Sequence, residues 1–254
     1  YTEKGPMIGE IAGRLSGGYM SGWTFPYSSD VNLTKEAMKI ALGQVPESTE
    51  NDEVPSLKFS HERAFISIPG KIKSIYGQDN AIAAPFVKNI FFRVKNGTAV
   101  DFPRNNVEKC GNVITLSENR ELSLWGAESA VSQIVLRLEK ENKATEDYLA
   151  GIELPYEKGF PYSMFSLSQE ESSAFEKEIE KADDLEEGKT ACCTFGALAV
   201  KFSSLKDYNY RTIMQTLSMF DSICPEHKKM NGKKFLKYLL RGGIQAILYY
   251  ADSL

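Results

Sequence analysis

Apolar positions recur at helical spacing near both ends of the chain and at a spacing of two in between. Near the start, Leu33, Ala37, Ile40 and Ala41 share one face of a helix that opens at Asn32, with Gly43 where a C-terminal cap belongs. From Leu57 to about Leu138 the pattern is that of strands: Ala64 to Ile68, Ile72 to Tyr76, Val113 to Leu116 and Glu121 to Trp125. Turn-forming clusters separate them, notably Pro69-Gly70, Gly77-Gln78-Asp79-Asn80 and Ser117-Glu118-Asn119-Arg120. The segment Val131 to Leu138 fits both periods and is read as a strand. Further on, Ser168-Gln169-Glu170-Glu171 has the form of a capping box, opening a helix with a thin stripe of Phe175, Ile179 and Ala182. Cys192 to Phe202 reads as a buried strand. Two helices then follow, with stripes Tyr210, Ile213, Met214, Leu217, Phe220 and Leu236, Leu240, Ile244, Ile247, Ala251; Gly242-Gly243 is placed to kink the second.

These elements predict an α+β fold, with an antiparallel β-sheet or small barrel in the middle of the chain and helices concentrated in the C-terminal third. Four stretches are expected. They are a flexible Gly-rich arm over 1–30, a short helix and acidic linker over 31–55, an antiparallel β region over 56–140, and a span over 141–254. That last span carries a loop, an acidic helix, a buried strand and basic helices that pack on the β region.

The strongest local instruction is Ile90 to Phe102. Asn96-Gly97 between two strand-forming runs predicts a hairpin with a type I′ turn. That register sets Lys95 opposite Thr98, Arg93 opposite Val100 and Phe91 opposite Phe102 on one face, and puts Ile90, Phe92, Val94 and Ala99 on the core face. Two rings with an arginine and a lysine between them would then meet water.

Composition adds little until charge is mapped along the chain. The 254 residues carry a net charge of -4, with 42% hydrophobic and 25% charged residues, which is ordinary globular composition. Residues 63–109, however, hold eight cations against three acids, and residues 201–241 hold nine against three. Residues 168–187 hold nine acids against two lysines. Basic strands with interleaved aromatics suit a single-stranded nucleic acid, RNA or DNA, because cations track phosphates while rings stack on bases. The expected contacts are Phe91, Phe102 and Tyr76 for stacking and Arg93, Lys95, Lys73 and Arg104 for phosphates, with Lys233, Lys234 and Lys237 as auxiliary contacts. The alternative is a coat, matrix or scaffold subunit that self-associates through its N-terminal arm and complementary charged segments; a homo-oligomer fits either reading.

Catalytic chemistry does not assemble. There is no GxSxG elbow, HExxH, EF-hand loop or Rossmann glycine pattern, and Gly188-Lys189-Thr190 follows an acidic stretch where a phosphate loop needs open backbone amides. Cys110, Cys192, Cys193 and Cys224 form no CxxC pair, and His61 and His227 are the only histidines. Reduced cysteines in an intracellular protein are expected, with no metal and no cofactor. No apolar run approaches the roughly 20 residues that span a bilayer. The chain is read as non-enzymatic; a pocket joining Cys192 or His61 to other titratable groups would reverse that.

Overall fold

The computed structural model describes Glu3, Gly5 and residues 7–47, 58–150, 169–181 and 232–251. The expected strand Cys192 to Phe202 and the helix over 210–220 lie outside the described residues.

A π-helical turn, Met20–Thr24, runs into α1 (Phe25–Ser29) and is followed by α2 (Leu33–Ala41). The Asn32 side chain caps α2 by accepting from Lys35 N, and Gly43 takes a positive φ of 71° just past its end. Six strands follow: β1 (Phe59–Phe65), β2 (Gly70–Tyr76), β3 (Val87–Phe92), β4 (Ala99–Val100), β5 (Gly111–Ser117) and β6 (Val135–Leu138). Between them lie α3 (Gln78–Ile82) and α4 (Arg120–Gln133), and after them α5 (Lys143–Leu149), α6 (Gln169–Lys181) and α7 (Gly232–Ala251). The fold is α+β, with antiparallel sheets in the middle of the chain and helices at both ends.

The strands form two three-stranded antiparallel sheets, ordered β1-β5-β3 and β4-β2-β6. This arrangement corrects the expected hairpin. The turn at Asn96-Gly97 is real, with Thr98 N donating to Lys95 O at 3.0 Å, but only Gly97 has a positive φ, whereas a type I′ turn needs two. The flanking strands therefore do not pair with each other; β3 joins β5, β4 joins β2, and the turn carries the chain from one sheet to the other.

Two further expectations fall in the same region. Glu121 to Trp125 belongs to α4, whose N-terminus is capped by Asn119 accepting from Leu122 N. Val131 to Leu138 divides, its first residues closing α4 and its last four forming β6. The face that α4 buries consists of the small residues Ser123, Gly126, Ala127, Ala130 and Ser132 together with Glu128. Small residues allow the helix to lie close to β1 and β5, and they leave no large apolar stripe in the sequence.

One core joins the two sheets. Phe65 and Val113 from the first meet Ile72, Leu136 and Leu138 from the second, closed by Phe102, Tyr148, Leu149, Ala246 and Tyr249. A buried polar clamp fixes α7 to it: Gln245 Nε2 donates to Ser67 Oγ (2.8 Å) and Leu136 O (2.9 Å), while Ile68 N donates to Gln245 Oε1 (3.1 Å). Gly243, at φ 58° and ψ -147°, breaks α7 at the expected place and turns the Gln245 segment inward. No helix among the described residues is long and apolar enough to cross a membrane.

Candidate anion site on the second sheet

The outer face of the second sheet is built from the run Lys71-Ile72-Lys73-Ser74-Ile75-Tyr76 opposite Val135-Leu136-Arg137-Leu138. Simple alternation would put Lys71, Lys73 and Ile75 on one face. The register instead slips between Ile72, paired with Leu138, and Ser74, paired with Arg137. This bulge keeps Ile72 and Ile75 toward the core, with Leu136 and Leu138, and leaves Lys73 and Tyr76 exposed on the other face beside Arg137, with Ser74 half-buried between them. Lys140 follows two residues after the strand, its Nζ 5.8 Å from the centroid of the Tyr249 ring. At the margin Lys71 Nζ pairs with Glu139 Oε1 at 3.1 Å, and Glu139 N donates to Lys71 O.

The electrostatics follow from this convergence. Hydrogen bonding with Ser74 and Arg137 pulls the Tyr76 phenol below its ordinary pKa, and the charges of Arg137 and Lys73 act in the same direction. Lys140 is also held below its usual value, first by burial and then by Arg137 and Lys73. Lys73 and Tyr76, the latter 48% exposed, thus meet water beside Arg137, while the Ser74 hydroxyl is buried. Such an arrangement can hold an anion with several oxygens.

Of the residues expected from sequence, Lys73 and Tyr76 belong to this cluster. Arg137 and Lys140 were missed because both charge-rich windows excluded them. The signal was present: Arg137 alternates with Leu136 and Leu138, the position of an outward residue on a half-buried strand.

The remaining candidates lie elsewhere. Phe91 does not face open water, since Tyr19 stacks on it at 4.3 Å and 13°, and Trp23 tilts against it at 5.1 Å. Phe102 is fully buried and stacked on Tyr148 at 6.0 Å. Arg93 donates to Val107 O at 2.9 Å and sits 5.8 Å from the Tyr19 ring. Arg104 is engaged with Glu108 at 3.1 Å. Lys95 is exposed at the turn between the sheets, and Lys233 Nζ donates to Glu180 O on α6 at 2.8 Å. Lys234 and Lys237 are on α7, with side chains outside the described part.

Other titratable groups serve packing. Arg63, beneath α4, is lowered to about 10 by burial, which the charge of Glu128 opposes. Burial pushes the Cys110 thiol up to about 12, which makes it a poor nucleophile. Among the described residues no group of three His, Cys, Asp or Glu could hold a metal ion. A hollow of about 510 Å³ lies between the N-terminal helices, lined by Trp23, Asn32, Lys35 and Met38, and it does not include His61.

Residues 64–139 match the family model described as L-amino acid ligase C-terminal domain 2. The match runs from the end of β1 past β6 and includes Lys73, Ser74, Tyr76 and Arg137. Among solved structures, the L-amino acid ligase from Bacillus licheniformis is similar at 15% identity, over 50% of this chain and 31% of that one, with a TM-score of 0.44. The phosphoribosylglycinamide synthetase from Anaerococcus prevotii is similar at 14% identity, over 47% of this chain and 31% of that one, with a TM-score of 0.41. The chain spans about a third of the length of each. No curated protein matches it.

The ligase match overturns the expectation of a non-enzymatic, single-stranded nucleic-acid-binding protein, together with the alternative of a self-associating coat, matrix or scaffold subunit. The expected nucleic-acid partner falls with it. The structure supplies a physical reason. Two of the three rings meant for base stacking are committed to packing, and two of the four expected phosphate contacts, Arg93 and Arg104, have partners within the chain.

Proposed function

We propose that this chain supplies the C-terminal part of a ligase of the ATP-grasp kind, which joins an amino-acid carboxylate to an amine at the expense of ATP. The observation that carries this reading is the family match over 64–139, which takes in strands of both sheets and the turn that links them. An amino-acid ligase must manage carboxylate and phosphate charge together, and the cluster around Arg137 supports a part in that task. Of the residues expected from sequence, Lys73 and Tyr76 remain candidate contacts, now for a small anion. The divisions at residues 30, 55 and 140 are kept within this reading, with 56–140 as the unit on which the flanking segments pack. An intracellular setting, where ATP and amino acids occur, goes with this reading.

The test is to incubate the gene's full-length product with ATP, magnesium and a mixture of L-amino acids, and to follow phosphate release and new condensation products by mass spectrometry. Amino-acid-dependent phosphate release with masses of joined amino acids is the expected result. Phosphate release that ignores amino acids, or none at all, would sink the reading.

A further inference from the structure

We propose that the hollow between the π-helical turn and α2 binds a monocarboxylate with an apolar body, and that Glu47 is a built-in competitor for its carboxylate. Helix α2 buries the face that holds Glu36 and repeats Lys35, Met38, Lys39 and Leu42 along another, at the i, i+3, i+4 and i+7 positions. That second face is one wall of the 510 Å³ hollow, and Gly22 and Trp23 of the π-helical turn supply the other. Met38 and Leu42 remain 63% and 72% exposed there. Trp23 is pinned by its own backbone: Trp23 N and Thr24 N both donate to Tyr19 O at 3.0 Å, the double acceptance that widens this turn. Single π-turns of this kind recur at functional sites. The Trp23 ring tilts against Phe91 and Tyr27 and keeps 37% of its surface open.

The chemistry of the ligand is read from Glu47. Its two carboxylate oxygens accept one from Lys35 Nζ, at 2.8 Å, and the other from Lys39 Nζ. The two lysines therefore already hold a carboxylate, and the chain itself supplies it. Beside them Trp23, Met38 and Leu42 form an apolar wall that this carboxylate leaves uncovered, with Asn32 and Thr34 at its polar edge. A molecule that carries a carboxylate and an apolar body together satisfies both parts at once, and the hollow has the size of small-molecule sites, about 300 to 1,000 Å³. Displacing Glu47 is cheap, because its side chain is 56% exposed and ion pairs so open to water are weakly held. A tethered group of this kind competes at an effective concentration on the order of millimolar, so Glu47 sets the ligand level at which the hollow fills. The hollow lies outside residues 64–139, and the assignment does not rest on the ligase reading.

Binding to the 254-residue chain tests this without turnover. The chain has two tryptophans, so Trp125→Phe leaves Trp23 as the sole reporter, and its fluorescence is followed at neutral pH and low ionic strength. The probes are N-acetyl-L-phenylalanine, its amide N-acetyl-L-phenylalaninamide, which keeps the body and lacks the carboxylate, acetate, which lacks the body, and L-phenylalanine. The acid should shift Trp23 emission in a saturable way, while the amide and acetate should not. Glu47→Gln should tighten binding of the acid about tenfold by removing the internal competitor. Adding Lys35→Gln and Lys39→Gln to that variant should abolish the gain, and Lys95→Gln, on the turn between the sheets, should change nothing. Tighter binding of L-phenylalanine than of its acetyl derivative would identify free amino acids as the source of the carboxylate, and the reverse would identify acylated or peptide-borne ones.

The decisive variant gains affinity, which a misfolded protein cannot imitate. Equal affinity for the acid and its amide, a Glu47→Gln protein that binds no better than the parent, or no saturable response of Trp23 in Glu47→Gln would each overturn the assignment. Circular dichroism confirms that the lysine variants keep α2.

Discussion

The two sheets share a design and differ in their relation to water. Each has three antiparallel strands, and each gives one face to helices. The first carries a second cover as well. Tyr19 and Trp23 from the N-terminal segment lie on Phe91, and Tyr27 bonds to Asn89, while Thr115 donates to Ser123 O of α4 beneath. Its polar groups are correspondingly turned inward: Asn112 Nδ2 donates to Glu62 Oε1 at 2.5 Å, and Lys109 pairs with Glu62 at 3.4 Å. The second sheet keeps Lys73 and Tyr76 exposed. Aromatic and basic residues on a strand therefore say nothing about function until the element lying over them is known; covered, they serve packing.

Perturbing each face should separate these roles. The largest loss is expected for Gly111→Ala in the first sheet, where a Cβ would lie 2.2 Å from both Phe91 O and Phe65 Cζ. The backbone cannot yield, and about 3 kcal/mol of stability should vanish in urea unfolding. On the inner side of the second sheet, Gln245→Leu strands Ile68 N–H and takes a donor from Leu136 O and from Ser67 Oγ, which keeps its bond to Ile68 O, at a cost of about 2 to 3 kcal/mol. Phe91→Ala should cost about 2 kcal/mol and expose the covering segment to chymotrypsin at Tyr19 and Trp23. A parent-like digestion pattern would mean that the second cover does not depend on that ring.

Smaller effects sharpen the contrast. His61 on β1 is held below its usual 6.5 by burial, with Arg120 adding to the effect. Its neutral form is favoured in the folded state, so stability is full above pH 6.5 and declines as pH falls below it. Replacing His61 with Asn should flatten that decline in denaturation curves taken from pH 7 to 5. Lys73→Gln, on the uncovered face, should change stability by less than about 0.5 kcal/mol. A larger loss there would mean that this lysine belongs to the packing after all.

Much of the fold was legible where a single local rule decides. The cap at Asn32, the glycine after α2, the strands around Ile72 and Val113, and the break at Gly243 each follow from a few neighbouring residues. Helix α4 was not, because Ser123, Gly126, Ala127 and Ala130 bury a face with no large apolar side chain, so Leu122 and Leu124 suggested alternation instead; the Asn119 cap was the available clue. The supposed hairpin failed for a different reason. The turn residues were identified, but strand partners are chosen by long-range packing, and β5 offered β3 a better neighbour than the adjacent chain did. At the candidate site, Lys73 and Tyr76 were visible, while Arg137 needed the bulged register to join them.

The strand orders also set a timetable for synthesis. In β1-β5-β3 the middle strand is made last, so β1 and β3 must wait as unpaired ribbons until Ser117 has left the ribosome. In β4-β2-β6 the middle strand is made first and collects its neighbours as they emerge, β4 early and β6 after residue 138. A nascent chain halted between these points can complete one sheet while the other lacks an edge, and chaperone capture should be strongest before β5 arrives.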